Sequence, residues 1–109
     1  MRKNKFNARR IEYRGMVFDS KKEFGRYLVL KDMEKHGKIT GLKRQVEYIL
    51  IDANDRFKGI KYIADFTYRE NNEPVIEDVK GLRKGAAYSL FKIKQKLIYD
   101  KFRILIREI

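Results

Sequence analysis

The strongest constraint on the fold comes from two β-strand patterns that flank the dipeptide Asn71-Asn72. Residues 59–69 and 75–80 are rich in β-branched and aromatic side chains, which favour strands. Asn tolerates positive φ, so the Asn pair suits the centre of a two-residue hairpin turn. The sequence therefore predicts an antiparallel hairpin whose register is fixed by its turn.

This register places Asp65 directly opposite Asp78, with Cβ atoms ~5 Å apart. Lys80 lies two residues further along the same face, whereas Glu77 points to the other face. Two facing carboxylates repel each other, and a bound cation removes that conflict. Mg²⁺ accepts one or two carboxylates together with water and phosphate oxygens. The spacing thus indicates a cation site, although a solvated acidic pair beside a lysine is the alternative that spacing alone leaves open.

The other elements follow from local signals. Ser20 and Glu23 form an S-x-x-E capping box, and His36-Gly37 marks the end of the helix that follows. The predicted order is a hairpin (11–18), a helix (20–36), strands at 39–51, 59–69 and 75–80, a helix (86–100) and a final strand (102–109). This order predicts an α/β (α+β) fold, with a central mixed four-stranded sheet flanked by two helices and an N-terminal hairpin. We expect one domain over residues 1–109, because two cores would each be too small.

Two apolar faces are predicted to form the core. On the sheet, the face opposite the aspartates carries Tyr62, Ala64, Phe66, Tyr68, Val75 and Val79. On the second helix, the stripe predicted to face the core is Ala86, Leu90, Ile93 and Leu97, and the predicted outward residues are Tyr88, Lys92, Gln95, Lys96 and Tyr99. Glu77 falls within the apolar sheet face, so it either reaches the sheet margin or, through a bulge, replaces Asp78 as a ligand.

Charge indicates the class of partner. The chain has 27 Lys and Arg against 15 Asp and Glu, a net charge of +12, which favours a polyanion such as nucleic acid. Residues 1–10 are interpreted as a basic arm, either disordered or in contact with DNA. Arg83 and Lys84 lie in a glycine-bounded loop, and Lys92 and Lys96 lie on the second helix. For these four residues, phosphate contacts and ordinary solvation are both open.

Several classes of protein are disfavoured. The absence of cysteine excludes disulfides, thiolate catalysis and Cys-ligated zinc, and one histidine is too few for nucleases that pair a histidine base with histidine ligands. His36 is expected to cap its helix. No apolar run approaches ~18 residues, so we expect no membrane partner. Without a signal peptide at its start, the chain is expected to be cytoplasmic, in a bacterial host cell or its nucleoid.

Five segments carry a resemblance to a known family. They are Phe18–Glu23, Gln45, Tyr62–Tyr68, Glu77–Gly81 and Phe91–Lys96. In their order along residues 6–106 they resemble small phage-encoded endonucleases of the PD-(D/E)XK superfamily, some of which are regarded as Holliday-junction resolvases. Ala64 stands where the name-giving proline would be.

The resemblance assigns roles to individual residues. It implies that Asp65 is the first acidic residue, Asp78 the (D/E) and Lys80 the lysine of the motif. Glu23 would be an additional carboxylate near the metal, although helix capping also explains it, and Gln45 would lie near the site or simply be a polar strand residue.

The function expected on these grounds is a Mg²⁺-dependent DNA endonuclease that hydrolyses phosphodiester bonds in branched DNA. Mn²⁺ is expected to be accepted as well, and no small-molecule cofactor is expected. Two symmetric cuts need two sites, so we expect a homodimer. The alternatives are a sequence- or mismatch-specific nicking endonuclease and a non-catalytic basic nucleic-acid-binding module. A pure phosphate binder, however, has no use for two carboxylates facing its ligand.

Overall fold

The computed structural model of the protein describes residues 10–109, so nearly all of the predicted basic arm lies outside the described residues. The elements of the described part are β1 (Ile11–Tyr13), β2 (Met16–Phe18), α1 (Lys21–Lys35), β3 (Thr40–Ile51), β4 (Ile60–Glu70), β5 (Glu73–Asp78), α2 (Ala86–Phe102) and β6 (Ile106–Glu108). Neither helix of residues 10–109 is long and apolar enough to cross a membrane.

The central sheet has the predicted four strands and the predicted mixture of parallel and antiparallel pairs. Its strand order is β3-β4-β5-β6, with antiparallel pairing except between β5 and β6, which are parallel. The parallel pair needs a long crossover, and α2 supplies it. β1 and β2 form a separate two-stranded hairpin. The α+β architecture, with two helices, a mixed four-stranded sheet and an N-terminal hairpin, is therefore confirmed.

The register of the β4–β5 hairpin is also confirmed. Asn71 and Asn72 have φ values of 51° and 66°, the left-handed conformation that a two-residue turn requires. The pairs nearest the site are Thr67 with Ile76 and Phe66 with Glu77. Asp65 lies just beyond the last of these pairs, and its carboxylate accepts a hydrogen bond from the backbone N–H of Val79, the residue after Asp78.

The ends of α1 follow the predicted signals. The backbone N–H of Glu23 donates to the Ser20 hydroxyl at 3.1 Å, which satisfies one of the free donors of the first turn. At the other end, His36 is the capping residue, and its Nδ1 lies 2.9 Å from the carbonyl oxygen of Asp32. The expected capping role of His36 is confirmed.

The core consists of two hydrophobic clusters. One joins α1 and the hairpin to the sheet, with Phe18, Leu30 and Val75 among its buried members. The other joins α2 and β6 to the sheet and includes Ile76. Val75 and Ile76 are neighbours in β5 and point to opposite faces, so the two helices cover opposite faces of the sheet there.

The sheet does not have the continuous apolar face that the sequence predicts. Tyr62 and Ala64 belong to the α2 cluster, whereas Phe66 and Tyr68, at alternate positions of the same strand, belong to the α1 cluster. Strict alternation would place all four on one face. The change falls at Asp65, opposite Gln45, whose φ of 53° is unusual for a non-glycine strand residue. The alternation of β4 is shifted at the candidate site.

The predicted core stripe of α2 is confirmed only at Leu97, which packs partly buried against the cluster of α2, whereas Tyr88, predicted to face outward, also packs against that cluster. The buried residues of this helix are Phe91 and Ile98, whereas Leu90 and Ile93 are 51% and 55% exposed. Phe91 packs its ring 6.3 Å from that of Tyr62, between ring centroids. Apolar residues occur on more than one side of this helix. The side that carries Phe91 is the one that packs against the sheet.

The boundary after α2 differs from the prediction as well. The helix continues through Phe102 and ends at Arg103, which has a left-handed φ of 59°. The last strand is therefore confined to Ile106–Glu108, shorter than the predicted 102–109.

Glu77 has a structural role that neither prediction anticipated. Its side chain is 0% exposed and accepts two hydrogen bonds from Arg26 of α1, at 2.8 Å from Nε and 2.6 Å from Nη2. The Tyr68 hydroxyl donates a further hydrogen bond to the same carboxylate. Glu77 is thus neither at the sheet margin nor a substitute for Asp78, because its oxygens are satisfied on the α1 side.

We expect Arg26→Ala to lower the free energy of unfolding by about 3 kcal/mol, because it leaves the buried Glu77 carboxylate without its counter-charge. Urea unfolding monitored by circular dichroism measures this change. The control is Lys31→Ala, on the same helix, whose pair with Glu34 is exposed and worth at most ~1 kcal/mol. Equal destabilisation by the two variants would contradict the role given to the buried pair.

Candidate functional site

Asp65 and Asp78 meet at the open end of the β4–β5 hairpin, where the pairing of β5 with β6 also ends. The Oδ2 atom of Asp65 accepts a hydrogen bond of 2.8 Å from the backbone N–H of Val79, and its carboxyl also hydrogen-bonds to Asp78. The backbone N–H of Lys80 donates to Ile109 O at 3.1 Å, and the Ile109 N–H donates to Asp78 O at 2.9 Å. The main chain that carries the candidate residues is therefore fixed on both sides.

Lys80 lies beside Asp78, as the register predicts. Its Nζ is 2.9 Å from Asp78 Oδ2 and 3.5 Å from the centroid of the Phe91 ring, so the ammonium is held between a carboxylate and an aromatic face. The carbonyl oxygen of Lys80 accepts a hydrogen bond of 2.7 Å from Lys22 Nζ, which connects the start of α1 to this point. The three residues predicted from the hairpin are thus brought together.

Asp65 and Asp78 place two carboxyl groups close together in a partly buried position. Burial raises the pKa of Asp65 to about 8, and the hydrogen bond and repulsion from Asp78 act in the same direction. A pKa of about 8 keeps the Asp65 carboxyl largely protonated at neutral pH.

Glu23 lies close to this pair but in a different setting. Its side chain is buried, and burial followed by repulsion from Asp19 raises its pKa. Arg44 Nη2 lies 3.6 Å from Glu23 Oε2, and the Glu23 carboxyl is near enough to Asp65 for each to shift the pKa of the other. The helix cap uses the backbone N–H of Glu23, and the Glu23 carboxylate lies near both the site and the backbone at Asp19.

The residues present fit a cation only in part. Within residues 10–109, no three His, Cys, Asp or Glu side chains converge as a preformed metal centre would require. Asp65 and Asp78 alone supply two carboxylates, which suits Mg²⁺ because this ion keeps several waters and takes further oxygens from phosphate. The donor set matches an ion that is completed by its substrate.

Gln45 lies beside the carboxylate pair, as do Arg44 and Tyr62, which the sequence did not predict. Gln45 Nε2 lies 3.4 Å from Asp65 Oδ1, which places this side chain at the site. Arg44 stacks over the Phe18 ring at 3.9 Å and donates to Val17 O at 2.7 Å. Tyr62 is buried beside Asp78. Arg44 could have been noticed as the cation next to Gln45, whereas nothing in the pattern distinguishes Tyr62 from other core aromatics.

The predicted DNA-contacting cations divide into two groups. Arg83 and Lys92 both bind Glu108, with N–O distances of 3.4 Å and 2.7 Å. Lys84 and Lys96 are exposed and form no ion pair within the described part of the chain. The first two therefore contribute less positive potential than their number suggests.

Comparison with known proteins gives a family but no function. The family model described as "Protein of unknown function (DUF1064)" matches residues 3–108, and the chain belongs to that family. No curated protein matches the chain. No solved structure matches it either.

The raised pKa of Asp65 makes the stability of the metal-free protein depend on pH. Between about pH 4 and 8 the folded state retains a proton that the unfolded chain has lost. The free energy of unfolding should therefore fall as pH rises through this range, by at most ~1.4 kcal/mol per pH unit. Urea unfolding in EDTA at several pH values measures this slope.

Asp65→Asn should remove most of the slope, because the amide does not titrate. Asp55→Asn, on an exposed loop, is the matched control and should keep it. A slope that is unchanged in Asp65→Asn would show that Asp65 is not the group responsible.

Proposed function

We propose that this member of the DUF1064 family is a metal-dependent DNA endonuclease with a PD-(D/E)XK core that hydrolyses phosphodiester bonds in branched DNA. The observation that carries the proposal is the closeness of Asp65 to Asp78 with Lys80 Nζ 2.9 Å from Asp78, in a chain of net charge +12. A protein that only binds phosphate gains nothing from two carboxylates facing its ligand.

Asp65 and Asp78 are the proposed ligands of Mg²⁺ or Mn²⁺, and Glu23, which does not converge with them in this structure, would join the ion only after its side chain moves toward the pair. A metal ion bound there would lower the pKa of a coordinated water and neutralise charge that develops on the phosphate. Lys80, released from Asp78, would donate to the attacking water or to a phosphate oxygen. Gln45 would hold Asp65 in the orientation that binding requires.

The positive surface is the proposed contact for the DNA backbone. Lys84 and Lys96 are its stronger candidates because both are exposed and unpaired in the described part of the chain. Arg83 and Lys92 would bind phosphate only in competition with Glu108.

The function is tested by incubating the purified protein with a synthetic four-way junction, a linear duplex and a single strand. We expect cleavage of the junction with Mg²⁺ or Mn²⁺ and none with EDTA. Asp65→Asn and Asp78→Asn should each lower the cleavage rate by at least about 100-fold, since each removes a ligand charge at the reacting phosphate. Labelled strands resolved on denaturing gels give the rates.

Asp55→Asn again serves as the matched control and should cut like the wild type. Wild-type activity in either site variant would show that the site is elsewhere. Junction binding without cleavage by any form of the protein would favour the non-catalytic module instead.

A homodimer is part of the same proposal, and an uncovered sheet face supports it. Ile49 lies between Tyr48 and Leu50, and Ile63 lies between Tyr62 and Ala64. All four neighbours pack into the α2 cluster, so Ile49 and Ile63 point to the opposite face. Both isoleucines are exposed, and a second copy of this chain would bury them.

Ile49→Glu should convert the dimer into a monomer, because two introduced carboxylates would meet at the symmetric contact. Sedimentation equilibrium measures the mass. Ile93→Glu places the same charge on the exposed side of α2 and should leave the dimer intact. A monomeric wild type, or dissociation by Ile93→Glu alone, would contradict this surface.

A further inference from the structure

A cleft of ≈ 350 Å³ opens beside the carboxylate pair, between the start of β4 and the first half of α2. Asp78 and Lys80 form one wall. A ligand in the cleft would therefore lie next to two residues of the proposed nuclease site. The volume is at the lower end of the range for small-molecule sites. None of the roles assigned above uses this space.

The cleft has an apolar wall that the fold leaves uncovered. Leu90 on α2 is 51% exposed and lines the cleft together with the largely buried ring of Phe91. The edge of β4 at Ile63 forms the other side, although the Ile63 side chain points to the opposite face of the sheet, because Tyr62 and Ala64 face α2. An exposed aliphatic side chain beside an aromatic ring favours a flat, apolar ligand, which would remove Leu90 from water.

Tyr62 supplies a polar group in the same lining. It is 4% exposed, and its hydroxyl lies near the Asp78 carboxylate without a hydrogen bond of normal geometry to any described residue. A buried hydroxyl in this position can donate to an acceptor that enters the cleft.

The rim of the cleft is positive. Lys61 and Lys94 line it together with Lys80, against the single carboxylate of Asp78. Lys61 lies 3.6 Å from Glu47 in an exposed pair, which contributes little and is easily exchanged. Lys94 forms no ion pair within residues 10–109. The ligand that matches this rim is an anion with an apolar, planar part.

We propose that the cleft binds one unstacked nucleotide adjacent to the scissile phosphate, with its base against Leu90 and Phe91 and its phosphates at Lys61 and Lys94. This inference rests on the proposed function and names its substrate class. A nucleotide can enter the cleft only after it leaves the base stack, which costs least where the DNA is already unpaired. The preferred substrate therefore carries an unpaired nucleotide at the cut, and a continuous duplex is a poor one.

Binding is tested without activity, on the full-length protein in EDTA. The dinucleotide d(pTpT) is titrated into ¹⁵N-labelled protein, and the amide shifts of Ile63, Leu90 and Lys94 are followed. We expect saturable shifts at these amides. An abasic dinucleotide and inorganic phosphate are the comparison ligands and should bind at least about tenfold more weakly, because they lack the base. Equal binding of the three ligands would overturn the base contact.

Leu90→Glu is the diagnostic variant, and Ile93→Glu is its matched control on the same helix. Both residues are exposed, so neither substitution disturbs the core. Leu90→Glu should weaken d(pTpT) binding at least about tenfold, since it places a carboxylate beside the phosphates. Ile93→Glu should bind like the wild type. Equal affinity of the two variants would overturn the proposal.

Cleavage then separates this proposal from the function it rests on. With Mg²⁺, Leu90→Glu should lose the preference for a junction with an unpaired nucleotide over a fully paired duplex, mainly through KM. Binding of d(pTpT) at the cleft without cleavage of any DNA would support the nucleotide site and contradict the nuclease. Cleavage with no d(pTpT) binding and equal rates for the two variants would contradict the nucleotide site and support the nuclease.

Discussion

The buried ion pair between Arg26 and Glu77 sets the position of α1 against the hairpin, and the candidate site depends on that position. Two parallel hydrogen bonds join the guanidinium to the carboxylate, a geometry that permits little rotation. Glu23 lies about one helical turn before Arg26, and Asp78 follows Glu77 directly. The pair thus determines how closely the carboxylate of the helix approaches those of the sheet.

The site combines groups that are unfavourable together in the absence of a ligand. Burial and the neighbouring Asp78 raise the pKa of Asp65, and Lys80 Nζ lies 2.9 Å from Asp78 Oδ2. If the proposed metal ion binds here, it must displace the proton of Asp65 and compete with the ammonium group of Lys80, and both lower the affinity of the site for the ion. The phosphate of a nucleic acid would then add oxygens that complete the coordination of such an ion.

The sequence predicted the parts of the fold that local chemistry determines. Asn71-Asn72 fixes the turn, and the turn fixes the register that brings Asp65 close to Asp78. Ser20 likewise fixes the start of α1. The hairpin residues of the candidate site were found for this reason, although their function stays a prediction.

The features that sequence reasoning missed depend on contacts between distant segments. Arg26 and Glu77 are 51 residues apart, and no spacing rule relates them. The side of α2 that is buried was missed because Leu90 and Phe91 are both apolar, so only the shape of the sheet chooses between them. The left-handed conformation of Gln45 is equally invisible in a pattern, since glutamine carries no preference for it.

That conformation has a consequence for the folding of the chain. Because the alternation of β4 shifts at Asp65, one strand contributes Tyr62 and Ala64 to one cluster and Phe66 and Tyr68 to the other. Neither cluster can lose its part of β4 without disturbing the strand that serves the other. The described residues should therefore unfold as one cooperative unit, and the carboxylate pair lies at the point where the two halves of that unit are joined.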